Sequence, residues 1–320
     1  MLGVGVTAPV SASQYCDNPG MPVPDRIVAV VGPTASGKSS LAVRIAQRLG
    51  GEVVNADSMQ LYRGMDIGTA KPTPAERADV PHHLFDVLDV TETASVAEFQ
   101  TLARAAIADC HARGVTPVLV GGSALYVRAV LDRLEFPGTD PAIRQRWSDE
   151  LAARGALALH GELARQDPVA AAQILPTNNR RIVRALEVIE LTGKPFAATM
   201  PAYDSIYADL TIVGLDVPRE VLDVRLADRV DQMWADGFVD EVRSLLPAGI
   251  EDGRTAGRAL GYQQILAFLR GETTEDEARE ATVTGTRKLA RRQDRDFRKD
   301  PRVHWLEYDA QDLLNQALPE

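Results

Sequence analysis

Eight consecutive residues, Gly32, Pro33, Thr34, Ala35, Ser36, Gly37, Lys38 and Ser39, match the pattern G-x-x-x-x-G-K-[ST] at every fixed position. The spacing has a physical purpose. Glycines let the backbone curl closely, so that successive N–H groups face phosphate oxygens while a helix N-terminus adds its positive end. Lys38 neutralises phosphate charge, and the Ser39 hydroxyl is suited to Mg²⁺ or a phosphate oxygen. An eight-residue pattern also arises by chance, so its context decides. Before it, residues 26–31 (RIVAVV) form a nearly all-apolar run, which predicts a strand buried on both faces of a parallel sheet. After it, Leu41, Ile45 and Leu49 recur at every fourth position until Gly50-Gly51, which predicts a helix. Strand, phosphate loop and helix in that order are the arrangement the motif requires.

The pattern continues downstream. Residues 52–56 (EVVNA) read as a second strand, 95–113 as a helix, and 116–120 (TPVLV) as a third strand entering Gly121-Gly122. This alternation predicts an α/β fold: a P-loop NTPase-like parallel sheet flanked by helices. Residues 140–200 carry helical patterns and almost no strand signal, with Asp140-Pro141 and Asp167-Pro168 as helix starts, so they read as an all-helical insertion domain. The sheet resumes at 209–217, followed by helices at 218–236, 237–246, 257–270 and 274–299 and a strand at 303–308. The predicted organisation is a catalytic core of residues 25–139 and 201–320 that encloses the insertion. Residues 1–24 read as a disordered extension, or as sequence upstream of a true start at Met21.

Composition narrows the function classes. A net charge of −10 argues against a nonspecific nucleic-acid binder, although it permits local basic patches. Only Cys16 and Cys110 are present, so a disulfide framework is excluded, and Cys110 is expected to be plain core. No run approaches the roughly eighteen apolar residues of a membrane span, and the N-terminus lacks a basic, apolar leader. A cytoplasmic enzyme without a membrane partner is the default expectation.

Beyond the phosphate loop, Asp57 lies at the carboxyl end of the second strand, the edge where open α/β sheets bind ligands. There it could ligate a metal, accept a proton or cap a turn. Gly121-Gly122-Ser123 ends the next strand at the same edge, where small residues permit close approach of a substrate or make a tight turn. His82 and His83 have no third ligand nearby in sequence and are expected to be structural. Residues 286–299 (TRKLARRQDRDFRK) carry seven Lys/Arg against two Asp, and Arg180, Arg181 and Arg184 cluster in the insertion. Such runs are either solvated faces or phosphate contacts.

Residues 55–76 (NADSMQLYRGMDIGTAKPTPAE) resemble the tRNA dimethylallyltransferase (tRNA isopentenyltransferase) family closely. Residues 81–99, 119–131, 180–195, 261–264 and 286–293 are similar to later segments of the same family. The resemblance implies transfer of a dimethylallyl group from dimethylallyl diphosphate to the exocyclic amine of the adenine 3′ to the anticodon, with diphosphate leaving and Mg²⁺ assisting. It implies Asp57 as the base, Arg229 with Lys38 and Ser39 at the diphosphate, and the tRNA anticodon stem-loop as partner. RNA contacts are implied at Asp57, Ser58, Met59, Gln60, Ser123, Arg144, Arg180, Arg181, Ile182, Val183, Arg184, Gly257, Arg258, Gly261, Tyr262 and Gln263. Such contacts would pull the adenine out of its stack. The family usually has threonine where Ser39 and Ser123 stand, and its threonine-tryptophan pair is replaced by Asp294, Arg295, Asp296 and Phe297. A monomer is expected because the RNA is large. The competing readings are an isopentenyltransferase acting on free adenine nucleotides, an ATP-using phosphotransferase, and a catalytically dead nucleotide-binding module.

Overall fold

The computed structural model describes residues 26–196 and 202–318. The expected disorder of residues 1–24 and the expected boundary at 200/201 therefore lie outside the described residues. Six parallel strands form one sheet: β1 (Arg26–Val31), β2 (Glu52–Asn55), β3 (His82–His83), β4 (Pro117–Gly121), β5 (Asp209–Asp216) and β6 (Val303–Glu307), in the order β3-β2-β4-β1-β5-β6. Alternation along β1 sorts its side chains onto two cores. Ile27, Ala29 and Val31 pack with Phe99, Ala103 and Ile107 of α3 (Val96–Ala112) and with Val127, Val130 and Leu131 of α4 (Ala124–Leu131). Val28 and Val30 pack with Leu41, Ala42 and Ile45 of α1 (Lys38–Leu49) on the opposite face. Each fully buried aliphatic side chain there contributes about 1.5–3 kcal/mol, so the central strand is the best-anchored element.

α2 (Pro74–Arg77) opens on a Thr73 capping box with Glu76. The insertion consists of α5 (Pro141–Arg154), α6 (Ala156–Gln166), α7 (Pro168–Gln173) and α8 (Asn179–Thr192). Asp140 and Asp167 cap two of these helices through their carboxylates, as the Asp-Pro pairs predict. Leu159, Leu163, Ile174, Ile182 and Leu186 make a separate small core. After β5 come α9 (Arg219–Ala235), α10 (Phe238–Leu245), α11 (Tyr262–Leu269) and α12 (Glu275–Phe297), and α13 (Leu313–Ala317) follows β6.

Two expectations change. The helix expected over 257–270 splits into a 3-10 turn at Ala256–Arg258 and α11, because Gly257 and Gly261 are poor helix formers and Gly261 takes a left-handed φ of 88°. The edge strand β3 was not expected, since two residues after a proline carry no periodic signal.

Inside the insertion, Glu187 is fully buried and its carboxylate accepts from Arg144 Nε at 2.9 Å and Nη2 at 2.7 Å, with Arg184 Nη1 at 3.0 Å. Breaking such a pair leaves an uncompensated buried charge, which costs about 3–5 kcal/mol. The double substitution Arg144→Ala/Arg184→Ala should therefore destabilise the insertion by about that amount in chemical denaturation. A loss under about 1 kcal/mol would mean the carboxylate is satisfied in some other way.

Candidate active site

Residues 32–39 leave the carboxyl end of β1 as a tight loop. Ala35 adopts a left-handed φ of 63°, unusual for a residue with a side chain, and Ser36 N–H donates to Pro33 O at 3.3 Å. α1 then starts at Lys38 with no side-chain cap, so its first N–H groups point into the loop's mouth. The Ser36 hydroxyl is buried and has no hydrogen-bond partner. A buried, unsatisfied donor is costly unless a ligand completes it. Lys38 Nζ donates to Pro33 O at 3.3 Å. Burial of the ammonium outweighs the attraction of Asp57, and with repulsion from Arg229 it lowers the Lys38 pKa to about 8.

Asp57 stands where the chain leaves β2. Asn55 holds it: its Oδ1 accepts from Asp57 N–H at 2.9 Å, while its Nδ2 donates to Asp57 O and Leu84 O at 3.0 Å each. One Asp57 oxygen accepts from Met59 N–H at 2.9 Å, which closes an Asx turn over residues 57–59. The half-exposed carboxylate is electrostatically coupled to Lys38, Arg229 and Tyr126. The cradle and the carboxylate thus lie within electrostatic reach of each other. β4 lies between β2 and β1 and brings Gly121-Gly122-Ser123 to the same edge. A Cβ on Gly121 would stand 2.6 Å from Ala56 O, so only glycine lets the two strand ends close. Ser123 precedes α4 without using its hydroxyl as a cap.

Arg229, on α9, reaches the phosphate loop: its Nη1 donates to Thr34 Oγ1 at 3.2 Å. Burial lowers its pKa, countered by Glu76 and Asp57. The contact of Gln293 Oε1 with Thr34 N–H, at 2.9 Å across 259 positions, had no local signal in the sequence. Tyr126 was also missed. Burial raises its phenol pKa, while a hydrogen bond with Ser58 and the charge of Arg180 act the other way.

Several residues implied as RNA contacts are placed elsewhere. Ile182 and Val183 are buried in the insertion, Ile182 in its small core, because they are the apolar stripe of an amphipathic helix. Tyr262 is fully buried between Phe238 and Glu241, its hydroxyl donating to Glu241 Oε1 at 2.6 Å. Gly261 is buried beside it. The side chains of Ile182, Val183 and Tyr262 do not face solvent and Gly261 carries none, which corrects the reading from resemblance. Arg144 and Arg184 neutralise Glu187, and Arg184 also donates to Pro137 O at 2.7 Å and Gly138 O at 3.1 Å. Arg180, Arg181, Arg258 and Gln263 are exposed, and Gly257 is half-exposed. Gln60 donates to Thr69 O at 3.1 Å and Ala70 O at 3.2 Å, and Met59 packs beside the Tyr62–Tyr262 core.

In the basic run of α12, Arg287 and Arg291 pair with Asp223, Arg295 and Lys299 with Asp296, and Arg298 with Asp294 and Asp216. Much of that charge is balanced locally. Phe297, in the segment that departs from the family pattern, is core. Cys110 is buried as expected, but not in purely apolar surroundings. Its Sγ lies 3.5 Å from Glu52 Oε2 and 3.9 Å from His83 Nε2, so folding supplies the neighbours that sequence spacing did not. Arg113 grips both Glu52 oxygens at 2.7 Å and holds that carboxyl pKa down at about 2, while burial pushes the thiol up to about 11. These contacts tie β2 and β3 to α3.

The comparisons agree with this geometry. Residues 60–300 match the family model described as IPP transferase. The tRNA dimethylallyltransferase of Thermobifida fusca is 64% identical over 296 residues, spanning 91% of this chain and 92% of that protein. That of Streptomyces coelicolor is 65% identical over 285 residues, 89% of this chain and 91% of the relative. The crystal structure of the tRNA isopentenylpyrophosphate transferase of Bacillus halodurans superposes with a TM-score of 0.68 at 42% identity, covering 91% of this chain and 93% of that one. A eukaryotic dimethylallyltransferase solved acting on tRNA gives 0.77 at 27% identity, covering 92% and 76%. The chain belongs to the IPP transferase family.

Proposed function

We propose that this protein transfers a dimethylallyl group from dimethylallyl diphosphate to the exocyclic amine of the adenine 3′-adjacent to the anticodon in tRNA. The observation that carries the reading is the electrostatic coupling of Lys38, in the phosphate loop after β1, to Asp57, just past the end of β2. In the reaction the allylic C–O bond breaks, the amine nitrogen bonds to that carbon, and diphosphate departs. Negative charge accumulates on the leaving oxygens, where Lys38, Arg229 and the N–H groups starting α1 stabilise it. The amine lone pair is delocalised into the ring, so loss of its proton to Asp57 makes it a competent nucleophile. The Asx turn holds one carboxylate oxygen on Met59 N–H and leaves the other for that proton.

The Ser39 hydroxyl, exposed at the start of α1, is a hard oxygen donor of the kind Mg²⁺ takes. It is the residue that would hold the ion, whose chemistry there would be further neutralisation of the diphosphate. For RNA, the exposed Arg180 and Arg181 at the start of α8 supply positive charge beside the cleft, and Arg258 and Gln263 offer an exposed polar edge. The insertion favours a polynucleotide acceptor, because a free nucleotide needs no second body to hold a stem. Among the described residues no helix is long and apolar enough to cross a membrane.

Labelled dimethylallyl diphosphate incubated with unmodified tRNA or with AMP should place label in tRNA alone; label in AMP, or in neither, contradicts the reading. Asp57→Ala should cut turnover by about 10²–10⁴-fold while diphosphate affinity changes only a few-fold at most. Comparable turnover would remove Asp57 from the mechanism. Lys38 must be protonated to bind an anion, and with its pKa at about 8 that charge is lost as pH rises through 8. Wild-type affinity for diphosphate should therefore fall between pH 7 and pH 9.5, and Lys38→Met should be weak throughout with a flatter profile. A wild-type profile that matches the variant's would show that the lysine charge is not used. Neutralising Arg180 and Arg181 together should weaken tRNA binding and reduce the dependence of log Kd on log salt by about two contacts' worth. An unchanged slope places the phosphates elsewhere.

A further inference from the structure

Thr34 sits between two long side chains from different helices. Arg229 of α9 donates to its hydroxyl at 3.2 Å, and Gln293 of α12 accepts from its backbone N–H at 2.9 Å. The other end of the same glutamine amide faces the β4–α4 turn. A Cβ built on Gly122 would stand 2.6 Å from Gln293 Nε2 and only 3.5 Å from Gly32 O. The half-buried Gln293 amide is thus wedged between the phosphate loop and the strand end that leads to Ser123. The next residue in the loop, Ala35, is held at a φ of 63°, a conformation a side-chain-bearing residue keeps only when its surroundings enforce it. Ala35 also packs against Leu222, Leu226 and Ala290, where α9 meets α12.

We propose that Gln293 is a positioning residue for the diphosphate: its amide oxygen holds the backbone of the cradle at Thr34 while its nitrogen fills the space beside Gly122, and the wedge so made sets the leaving group relative to the acceptor side. This rests on the transferase reading above. Three features support it. The bond is to backbone, so it acts on loop shape whatever side chain residue 34 carries. The loop has a costly conformation immediately after the bonded residue. Gly122, without a side chain, leaves the room the amide fills. The glutamine neither donates to phosphate nor takes a proton; it acts through the loop.

The test is a double-mutant cycle. Gln293→Met keeps length and volume but removes the acceptor. Gly122→Ala leaves Gln293 intact and puts a methyl where its Nε2 now lies, so the flexible amide end must move. Each single variant should lower kcat/KM for dimethylallyl diphosphate by about ten- to a hundredfold, the scale on which small misplacements act. Each should weaken inorganic diphosphate binding in the absence of tRNA, with thermal midpoint, tRNA affinity and its salt slope near wild type. The double variant should be no worse than the worse single one, because both remove one contact. Wild-type diphosphate affinity and kinetics in Gln293→Met would overturn the proposal. So would additive losses, or an effect confined to tRNA affinity and salt slope, which would make Gln293 an RNA contact. If Gln293→Met does not fold, Gly122→Ala alone decides by the same measurements. A wild-type protein that binds diphosphate but transfers nothing to tRNA would instead defeat the transferase reading, and the diphosphate arm would still report on Gln293.

Discussion

The candidate site depends on the placement of Lys38, whose ammonium donates to Pro33 O within the phosphate loop and whose pKa burial lowers to about 8. A cation held at that cost calls for an anion, and its surroundings provide for one. The phosphate loop also carries the uncapped start of α1 and the unsatisfied Ser36 hydroxyl, and Arg229 reaches it at Thr34. Asp57, just past the end of β2, offsets part of the penalty, with one of its oxygens committed to an Asx turn. The sheet order places β4 between the two, and its glycine end allows the strand termini to meet. The chemistry follows from three adjacent strand ends and one helix start.

The same logic of paired charge, used differently, builds the insertion. Glu187 lies on the inward side of α8, where Arg144 and Arg184 close over it. That arrangement specifies how α5 meets α8, and it leaves Arg180 and Arg181 exposed at the first turn. The base of the sheet shows a third variant, in which Arg113 clamps Glu52 beside His83 and Cys110 to tie β2 and β3 to α3. Two of these charge arrangements are closed and structural. Only the one at Lys38 opens onto a cleft.

Much of this was legible before any coordinates. Local pattern carried the phosphate loop, the apolar run of β1, the 3.6-residue period of α1 and the Asp-Pro helix starts, and their boundaries hold to within a residue or two. The position of Asp57 at a strand end was equally readable. What failed depends on which face of an element is covered. Ile182, Val183 and Tyr262 sit in segments that resemble RNA-contacting ones, yet the helices carrying them turn those side chains inward. Arg144 and Arg184 look like solvent cations until Glu187 is seen to be buried. Gln293 and Thr34 are 259 positions apart, and no periodicity links them. The two-residue β3 has no periodic pattern of its own and takes its strand conformation from pairing with β2.

The most direct test is a structure of this protein with an anticodon stem-loop and a non-hydrolysable thiolo analogue of dimethylallyl diphosphate. The account predicts a flipped adenine whose exocyclic nitrogen lies about 3 Å from an Asp57 oxygen, with the diphosphate lodged against residues 32–39 and Lys38. An adenine still stacked in the loop, or a diphosphate bound outside the cradle with Asp57 turned away from the base, would contradict it.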